Sequence, residues 1–191
     1  MRIIAGIGKG RNLFSPIGQT RPTSDRAREA LFSTIESEFG SLNDLYFLDL
    51  YSGSGAVGVE ALSRGAAVVH SVDKDEKATE VARRNHSLIE NITGVGSSSI
   101  FTMSAGKYLE QQLGIAFDII FLDPPYEVAN SEIEKIIKQI GDNGFAKNGS
   151  LIALERDSKT PAIKWPTGFR ALKERNYGAA TIYYAEVESS N

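Results

Sequence analysis

Between residues 45 and 155 the sequence alternates short apolar runs with stretches of helical periodicity. The apolar runs predict strands over Leu45–Leu50, Ala67–Val72, Ser99–Met103, Phe117–Leu122 and Leu151–Glu155, and the intervening stretches predict helices over Ala56–Arg64, Asp75–Ile89, Ala105–Leu113 and Ser131–Ile140. Strands that alternate with helices form a parallel sheet with helices on both faces. The chain therefore predicts a doubly wound α/β fold.

The carboxyl end departs from this alternation. Phe169–Arg175 and Thr181–Glu186 read as two strands joined at Tyr177-Gly178, with no room for a helix between them. We expect an antiparallel terminal hairpin.

The amino end predicts a second hairpin. Arg2–Ile7 and Arg11–Phe14 are short runs bounded by Gly8 and Gly10, and a helix is expected from about residue 24, with Thr23 or Ser24 as its N-cap. We therefore expect two units, a basic β-hairpin arm over residues 1–20 and a Rossmann-like domain over residues 21–191.

Positive charge is concentrated at the amino end. Residues 1–28 hold six Lys or Arg and one Asp, a local charge of +5 in a chain whose net charge is −3. A basic arm on an acidic body suits contact with phosphates. The candidates for such contacts are Arg2, Lys9, Arg11, Arg21 and Arg26.

Composition excludes several kinds of chemistry. The chain has no cysteine and only two histidines, His70 and His86, so disulfides, zinc–thiolate sites and thiol nucleophiles are ruled out. It has neither the apolar core of a signal peptide nor an apolar run long enough to span a bilayer. A cytoplasmic protein that uses no metal fits these features best.

A glycine-rich turn follows the first predicted strand. Gly53, Gly55 and Gly58 satisfy G-x-G-x-x-G at the carboxyl end of a strand, where such folds bind ligands against free helix amides. Asp73, at the end of the next predicted strand, is placed to accept both hydroxyls of a ribose. These features suit a nicotinamide dinucleotide and S-adenosylmethionine equally.

The predicted strand at Phe117–Leu122 ends in Asp123-Pro124-Pro125-Tyr126. Consecutive prolines fix a rigid corner and are expected to leave their own carbonyls unpaired. The lone pair of a nucleobase amine is delocalised into the ring, and it becomes nucleophilic when the Asp123 carboxylate and the Pro124 carbonyl accept the two amine hydrogens. Tyr126 can stack on the base. This corner predicts an amino methyltransferase.

Asp123-Pro124-Pro125-Tyr126 matches the (Asp/Asn)-Pro-Pro-(Phe/Tyr) signature of amino methyltransferases. Over nearly its whole length the chain resembles the RsmD family of bacterial 16S rRNA guanine-N2 methyltransferases. The supporting stretches are Arg2-Ile3-Ile4-Ala5-Gly6, Arg21-Pro22-Thr23-Ser24-Asp25-Arg26, Leu48-Asp49-Leu50-Tyr51-Ser52-Gly53-Ser54-Gly55 and Gly58-Val59-Glu60-Ala61-Leu62-Ser63-Arg64-Gly65-Ala66.

The resemblance implies a seven-stranded class I methyltransferase fold, S-adenosylmethionine as cofactor, and a guanine at position 966 of 16S rRNA as substrate. It places cofactor contacts at Asp49, Tyr51, Gly53, Gly55, Asp73, Lys74, Ser104 and Ala105, catalytic residues at Asp123, Pro124, Pro125 and Tyr126, and RNA contacts at Arg2, Lys9, Arg11, Arg21, Thr23 and Arg26. Ser104-Ala105 departs from the family's usual Asn-Ala or Asp-Ala pair beside the adenine. The implied partner is a 30S subunit or its assembly intermediate. We expect a monomer, because nothing in the sequence resembles an extended dimer helix.

Three other interpretations stay open on the sequence. A DNA adenine-N6 methyltransferase would share the proline corner, although no segment is large enough for a target-recognition domain. A nicotinamide-dependent oxidoreductase would explain the glycine turn and leave Asp123–Tyr126 unexplained. A non-catalytic RNA-binding protein that keeps a vestigial Rossmann fold would need neither the glycine turn nor Asp123–Tyr126.

Overall fold

The computed structural model describes residues 1–15 and 25–188 as seven strands and five helices. The helices are α1 (Asp25–Phe39), α2 (Ala56–Ser63), α3 (Glu76–Ser87), α4 (Ala105–Leu109) and α5 (Asn130–Asp142). The strands are β1 (Tyr46–Leu50), β2 (Val68–Asp73), β3 (Ser97–Thr102), β4 (Phe117–Leu122), β5 (Ala146–Asp157), β6 (Phe169–Tyr177) and β7 (Ala180–Val187).

All seven strands form one sheet in the order β3-β2-β1-β4-β5-β7-β6. The first five pair in parallel, and β7 lies antiparallel between β5 and β6. The dinucleotide-binding fold has six strands in the order 3-2-1-4-5-6. The antiparallel β7 is therefore what sets this sheet apart, and it confirms the predicted seven-stranded fold with a terminal hairpin.

The strands are apolar because both faces of the sheet are covered. Side chains that alternate along β1 and β4 enter two separate clusters: Phe47 and Ile119 pack with α1 and α2, and Leu48 and Ile120 pack with α4 and α5. Burial on both faces fixes the register, since a slip of one residue would exchange the two sets. The sheet is thus a rigid frame for the loops at its carboxyl edge.

The amino-terminal segment is docked on α2. Its two halves pair through one antiparallel bridge, Arg2 to Asn12, flanked by backbone hydrogen bonds from Ile3 to Arg11 and from Leu13 to Met1, both 3.0 Å. The amides of Ile4 and Ala5 instead donate to the buried Glu60 carboxylate at 2.8 and 3.0 Å. The predicted hairpin is therefore present in short form, and these bonds anchor it on α2.

One of the six basic residues at the amino end belongs to the core. Arg28 is fully buried, donates to the Arg2 carbonyl at 2.5 Å and to Asp25 at 3.0 Å, and has Glu60 at 3.8 Å. Its charge is compensated inside the protein, so it adds nothing to a phosphate-binding surface. The predicted N-cap at Thr23 or Ser24 and the division at residues 20 and 21 lie outside the described residues.

Candidate active site

A cavity of about 820 Å³ opens at the carboxyl ends of β1, β2 and β4. Most of the residues singled out from the sequence line it: Asp49, Tyr51, Gly53, Asp73, Lys74, Ser104, Ala105, Asp123, Pro124, Pro125 and Tyr126. These residues come from four separate stretches of chain. They meet because parallel strands bring their carboxyl ends to one edge of the sheet.

The glycine turn begins with a strained residue. Tyr51 has φ 62°, a left-handed conformation that costs a non-glycine residue about 1–2 kcal/mol, and Gly53 follows with φ 52°. The Ser52 amide donates to the Val72 carbonyl at 3.0 Å and ties the turn to the end of β2. Backbone strain held by surrounding structure is typical of ligand sites.

The two glycines of the turn, Gly53 and Gly55, differ in the space that a side chain would enter. A side chain at Gly53 would meet nothing within 4 Å, whereas one at Gly55 would lie 2.9 Å from the Ala82 β-carbon and 3.1 Å from Nε2 of His86. Gly55 does not line the cavity. Gly53 therefore borders the ligand space, and Gly55 allows α2 and α3 to pack closely.

Asp73 is oriented by the turn that it faces. Its Oδ2 accepts from the Gly53 amide at 2.8 Å and its Oδ1 accepts from the Asp75 amide at 2.9 Å. A carboxylate oxygen can accept more than one hydrogen bond, so both oxygens keep capacity for the hydroxyls of a ribose.

Asp49 lies beneath the turn and is almost fully buried. It accepts from the Gly58 amide at 3.1 Å in the first turn of α2. Burial raises its pKa well above the usual value, the bond from Gly58 opposes that rise, and the charges of Asp123 and Asp73 add to it. Asp49 thus occupies an amide at the helix N-terminus that an anionic ligand would otherwise use.

Hydrogen bonds from Val128 and Arg156 hold the proline corner in place. The Pro125 carbonyl accepts from the Val128 amide at 3.0 Å and from Nη1 of Arg156 at 3.4 Å, while Nη2 of Arg156 donates to the Val128 carbonyl at 2.6 Å. The expectation that both proline carbonyls are unpaired is therefore wrong for Pro125, because its carbonyl takes part in this turn. Pro124 is the acceptor left for an amine.

Arg156 was not found from the sequence. It is 1% exposed at the end of β5, and burial lowers its pKa while the neighbouring Tyr51, Asp123 and Tyr126 act in the opposite direction. The only signal in the sequence is a pair of charges, Glu155-Arg156, directly after a buried apolar run. Glu155, Glu132 and Tyr177 also line the cavity and were likewise missed.

The cavity wall is acidic. Among the residues that the structure describes, six Asp or Glu side chains line it, against a single lysine, Lys74. The carboxylates belong to Asp49, Asp73, Asp123, Glu127, Glu132 and Glu155. Burial, together with the charge of Glu132, raises the pKa of Tyr51 to about 12. Such a wall favours a cationic ligand and repels a pyrophosphate.

Ser104 caps α4 and borders the same cavity. Its hydroxyl oxygen accepts from the Lys107 amide at 3.3 Å, so the serine begins the helix as Asn or Asp would. Its hydroxyl hydrogen is the group that it can offer to a ligand.

The basic candidates lie on another part of the surface. Arg2, Lys9 and Arg26 border a cavity of about 350 Å³ together with Asp25 and Glu29. Arg11 is exposed nearby in the sequence. Arg21 and Thr23 lie outside the described residues.

Within residues 1–15 and 25–188, no helix is long and apolar enough to cross a membrane. The same part of the chain brings together no three His, Asp or Glu side chains that could hold a metal ion.

The sheet order and the carboxyl-edge cavity define a class I methyltransferase fold. The family described as Conserved hypothetical protein 95 matches residues 1–186. Ribosomal RNA small subunit methyltransferase D from Escherichia coli is 30% identical over 194 residues, covering 100% of this chain and 93% of that protein. Its counterpart in Haemophilus influenzae is 31% identical over 182 residues, covering 93% and 89%.

Solved structures agree with this assignment. An E. coli protein named as a methyltransferase, yhhF, superposes with a TM-score of 0.85 at 28% identity, covering 100% of this chain and 99% of that one. The chain belongs to the RsmD family, as the sequence predicted.

Proposed function

We propose that the protein transfers a methyl group from S-adenosylmethionine to the exocyclic N2 amine of a guanine in 16S ribosomal RNA. The observation that carries this proposal is that the cavity brings the Asp123-Pro124 corner to the same edge as the glycine turn and Asp73. Relatives named ribosomal RNA small subunit methyltransferase D support the class of substrate.

The cavity fits this cofactor. Its volume lies within the range of small-molecule sites, and its carboxylates suit a positively charged sulfonium. Asp73 would hold the ribose, Gly53 would allow close approach of the methionine part, and Ser104 with Ala105 would border the adenine. The cofactor supplies an electrophilic methyl carbon.

Asp123 and Pro124 prepare the nucleophile. Their oxygens accept the two amine hydrogens, which draws the nitrogen toward tetrahedral geometry and aims its lone pair. The nitrogen–carbon bond forms as the carbon–sulfur bond breaks, the sulfur keeps the bonding electrons, and one amine proton then leaves to Asp123 or water. Tyr126 would hold the ring by stacking, so the rate comes from positioning and electrostatics.

The acidic wall also weighs against the oxidoreductase alternative. A dinucleotide places its pyrophosphate on the N-terminus of the helix after the glycine turn. Here Asp49 already accepts a hydrogen bond from the Gly58 amide at that N-terminus.

We further propose that the substrate is presented in a 30S subunit or its assembly intermediate. The protein would act on it as a monomer in the cytoplasm, without a metal ion. The relatives are named as methyltransferases of small-subunit ribosomal RNA, which supports RNA over DNA as the substrate.

The test uses labelled S-adenosylmethionine and small subunits from a strain lacking this protein, followed by nucleoside analysis. We expect N2-methylguanosine in 16S rRNA with the wild-type protein. Asp123→Ala should abolish transfer and leave cofactor binding, measured by calorimetry, largely intact. N6-methyladenosine as the product, or full turnover by the alanine variant, would refute the proposal.

A further inference from the structure

Phe14 is an exposed aromatic residue with a guanidinium on one face. Its side chain is 41% exposed, and the guanidinium carbon of Arg84 lies 4.0 Å from the centroid of its ring. Exposure of a large aromatic ring costs hydrophobic free energy. The pair, called the Phe14–Arg84 platform below, leaves aromatic surface open to a partner.

The platform is held rigidly through the backbone of Phe14. The fully buried Asn85 accepts from the Phe14 amide at 2.8 Å, and its Nδ2 donates to the Phe14 carbonyl at 3.0 Å. The same Nδ2 donates to the Ser54 carbonyl in the glycine turn at 2.8 Å. Asn85 thereby fixes the backbone of Phe14 relative to the cofactor turn, so little backbone entropy remains to be lost on binding.

The platform stands at the rim of the candidate active site. Ser15, the residue after Phe14, lines the main cavity, as does Ser54. Arg84 makes no ion pair with a carboxylate within residues 1–15 and 25–188. The Phe14 ring and the Arg84 guanidinium therefore lie next to a residue of the cavity lining, Ser15.

We propose that the Phe14–Arg84 platform stacks an unpaired base next to the target guanine, with Arg84 also contacting an adjacent phosphate. This inference rests on the proposed function. An enzyme that modifies a base inside a stack must extrude it, which leaves the neighbouring base with one face uncovered. Single-stranded RNA bases stack on aromatic rings and on Arg planes, and each such contact is worth about 1–3 kcal/mol.

The test compares two substitutions of the same exposed ring. Phe14→Leu keeps an apolar side chain and removes the aromatic face, whereas Phe14→Trp keeps that face. We expect Phe14→Leu to raise KM for small subunits by roughly 5- to 150-fold, the equivalent of 1–3 kcal/mol. KM for S-adenosylmethionine should change little, and Phe14→Trp should remain close to the wild type.

Tyr46 provides a matched control. It is also an exposed aromatic, 36% exposed, but it lies at the amino end of β1, opposite the cavity. Tyr46→Leu should leave KM for subunits unchanged. Arg84→Gln should raise that KM and lower the salt dependence of RNA binding by about 0.7 in the log–log slope, the value for one single-strand phosphate. Phe14→Leu should leave the slope as it is.

A direct readout of stacking separates this inference from the proposed function. A short stem–loop of the target RNA, with 2-aminopurine beside the target guanine, should lose fluorescence on binding the wild type and much less on binding Phe14→Leu. Wild-type KM in Phe14→Leu, or an equal rise in Phe14→Trp, would overturn the platform; the second result would point to a protein partner. If the wild type transfers no methyl group, the proposed function fails, and the fluorescence assay still decides the platform.

Discussion

Gly53 and Gly55 both have positive φ angles, and their surroundings assign them different tasks. Gly53, with φ 52°, faces open cavity space, and Gly55, with φ 70°, faces Ala82 and His86 of α3. The glycine motif in the sequence does not distinguish the two positions. Only the packing of α2 on α3 decides which one borders a ligand.

Alanine at each glycine should therefore have different consequences. Both substitutions add a β-carbon to a residue with a left-handed backbone, which is strained. Gly55→Ala also places that β-carbon 2.9 Å from the β-carbon of Ala82 in a packed interface. We expect Gly55→Ala to lower the free energy of unfolding by about 1–3 kcal/mol more than Gly53→Ala does. Gly53→Ala should instead raise the Kd for S-adenosylmethionine by roughly tenfold, or about 1.4 kcal/mol. Urea unfolding and calorimetry measure the two effects, and the reverse pattern would contradict this assignment.

His86 makes stability depend on pH. It is fully buried beneath the glycine turn, with Ser71 Oγ at 3.4 Å, and burial lowers its pKa to about 4. In the unfolded chain His86 takes up a proton near its ordinary pKa of 6.5, whereas in the folded chain it does so only near pH 4. Stability is therefore fully present above about pH 6.5 and is lost as the pH falls toward 4. The loss approaches about 3 kcal/mol at 1.36 kcal/mol per pKa unit.

His86→Gln isolates this contribution, because the carboxylates that also titrate are the same in both proteins. The free energy of unfolding of the wild type should fall relative to that of His86→Gln as the pH is lowered from 7 to 4. Urea titrations at a series of pH values give the difference. If the free energies of unfolding of the two proteins fell in parallel, His86 would have the same pKa in the folded and the unfolded chain, and the prediction would be wrong.

At the scale of residues, the sequence predicts the cavity lining that comes from strand ends. Asp49 lies one residue before the end of its apolar run, Asp73 and Asp123 come at the ends of theirs, and parallel pairing brings the three together. Glu155 and Tyr177 could not be found in this way. Their positions depend on β5 pairing with β7 and β7 with β6, which are contacts between distant parts of the chain.

At the scale of elements, β5 both extends the sheet and supports the proline corner. It runs from Ala146 to Asp157, well beyond the predicted Leu151–Glu155, and its first residues pair irregularly with β4. Ser150 Oγ donates to the Phe117 carbonyl at 2.7 Å and stabilises that irregular start. Periodicity could not predict this, because burial of β5 begins only at Ser150.

Helix α4 shows the opposite deviation. It ends at Leu109, whereas the sequence predicts helix as far as Leu113. The side chain of Asn143, at the end of α5, donates to the Leu109 carbonyl at 2.6 Å and satisfies a group of the last turn. A capping contact from another element is not visible in the local sequence.

Arg156, at the end of β5, should act as a positioning residue for Asp123 and Pro124. Arg156→Met removes the donors to the Pro125 and Val128 carbonyls, so the corner loses its fixed geometry. We expect kcat to fall by about 10- to 100-fold, with KM for S-adenosylmethionine nearly unchanged. Arg156→Lys should recover part of kcat, because one donor remains.

Arg170 is the control for this substitution. It is an exposed arginine on β6, paired with Glu186 and Glu188, and Arg170→Met should keep wild-type kcat. Thermal unfolding checks that the Arg156 variants are folded. An equal loss of kcat and cofactor affinity in Arg156→Met would indicate general damage to the site in place of a positioning role.

At the scale of the whole molecule, the ligand that the fold accepts is decided by charge as much as by shape. The G-x-G-x-x-G turn, the parallel sheet and an acid after β2 are shared with dinucleotide-binding proteins. The antiparallel β7 and the carboxylates around the cavity are not evident from the glycine motif. Of the two, it is the carboxylates that make the described cavity suited to a cation.

Thermal stability should therefore distinguish the two classes of cofactor. A ligand that binds only the folded protein stabilises it by about 2.7 kcal/mol at one hundred times its Kd. For a chain of this size that is a rise in Tm of about 5–11 °C. S-adenosylmethionine should produce such a rise, and NAD at the same concentration should produce none, because Asp49 already occupies the Gly58 amide that its pyrophosphate would use. Asp73→Ala should remove most of the rise by removing the ribose acceptor, whereas Asp123→Ala should retain it. A rise with NAD, or equal rises in both variants, would show that the cavity selects its ligand by other contacts.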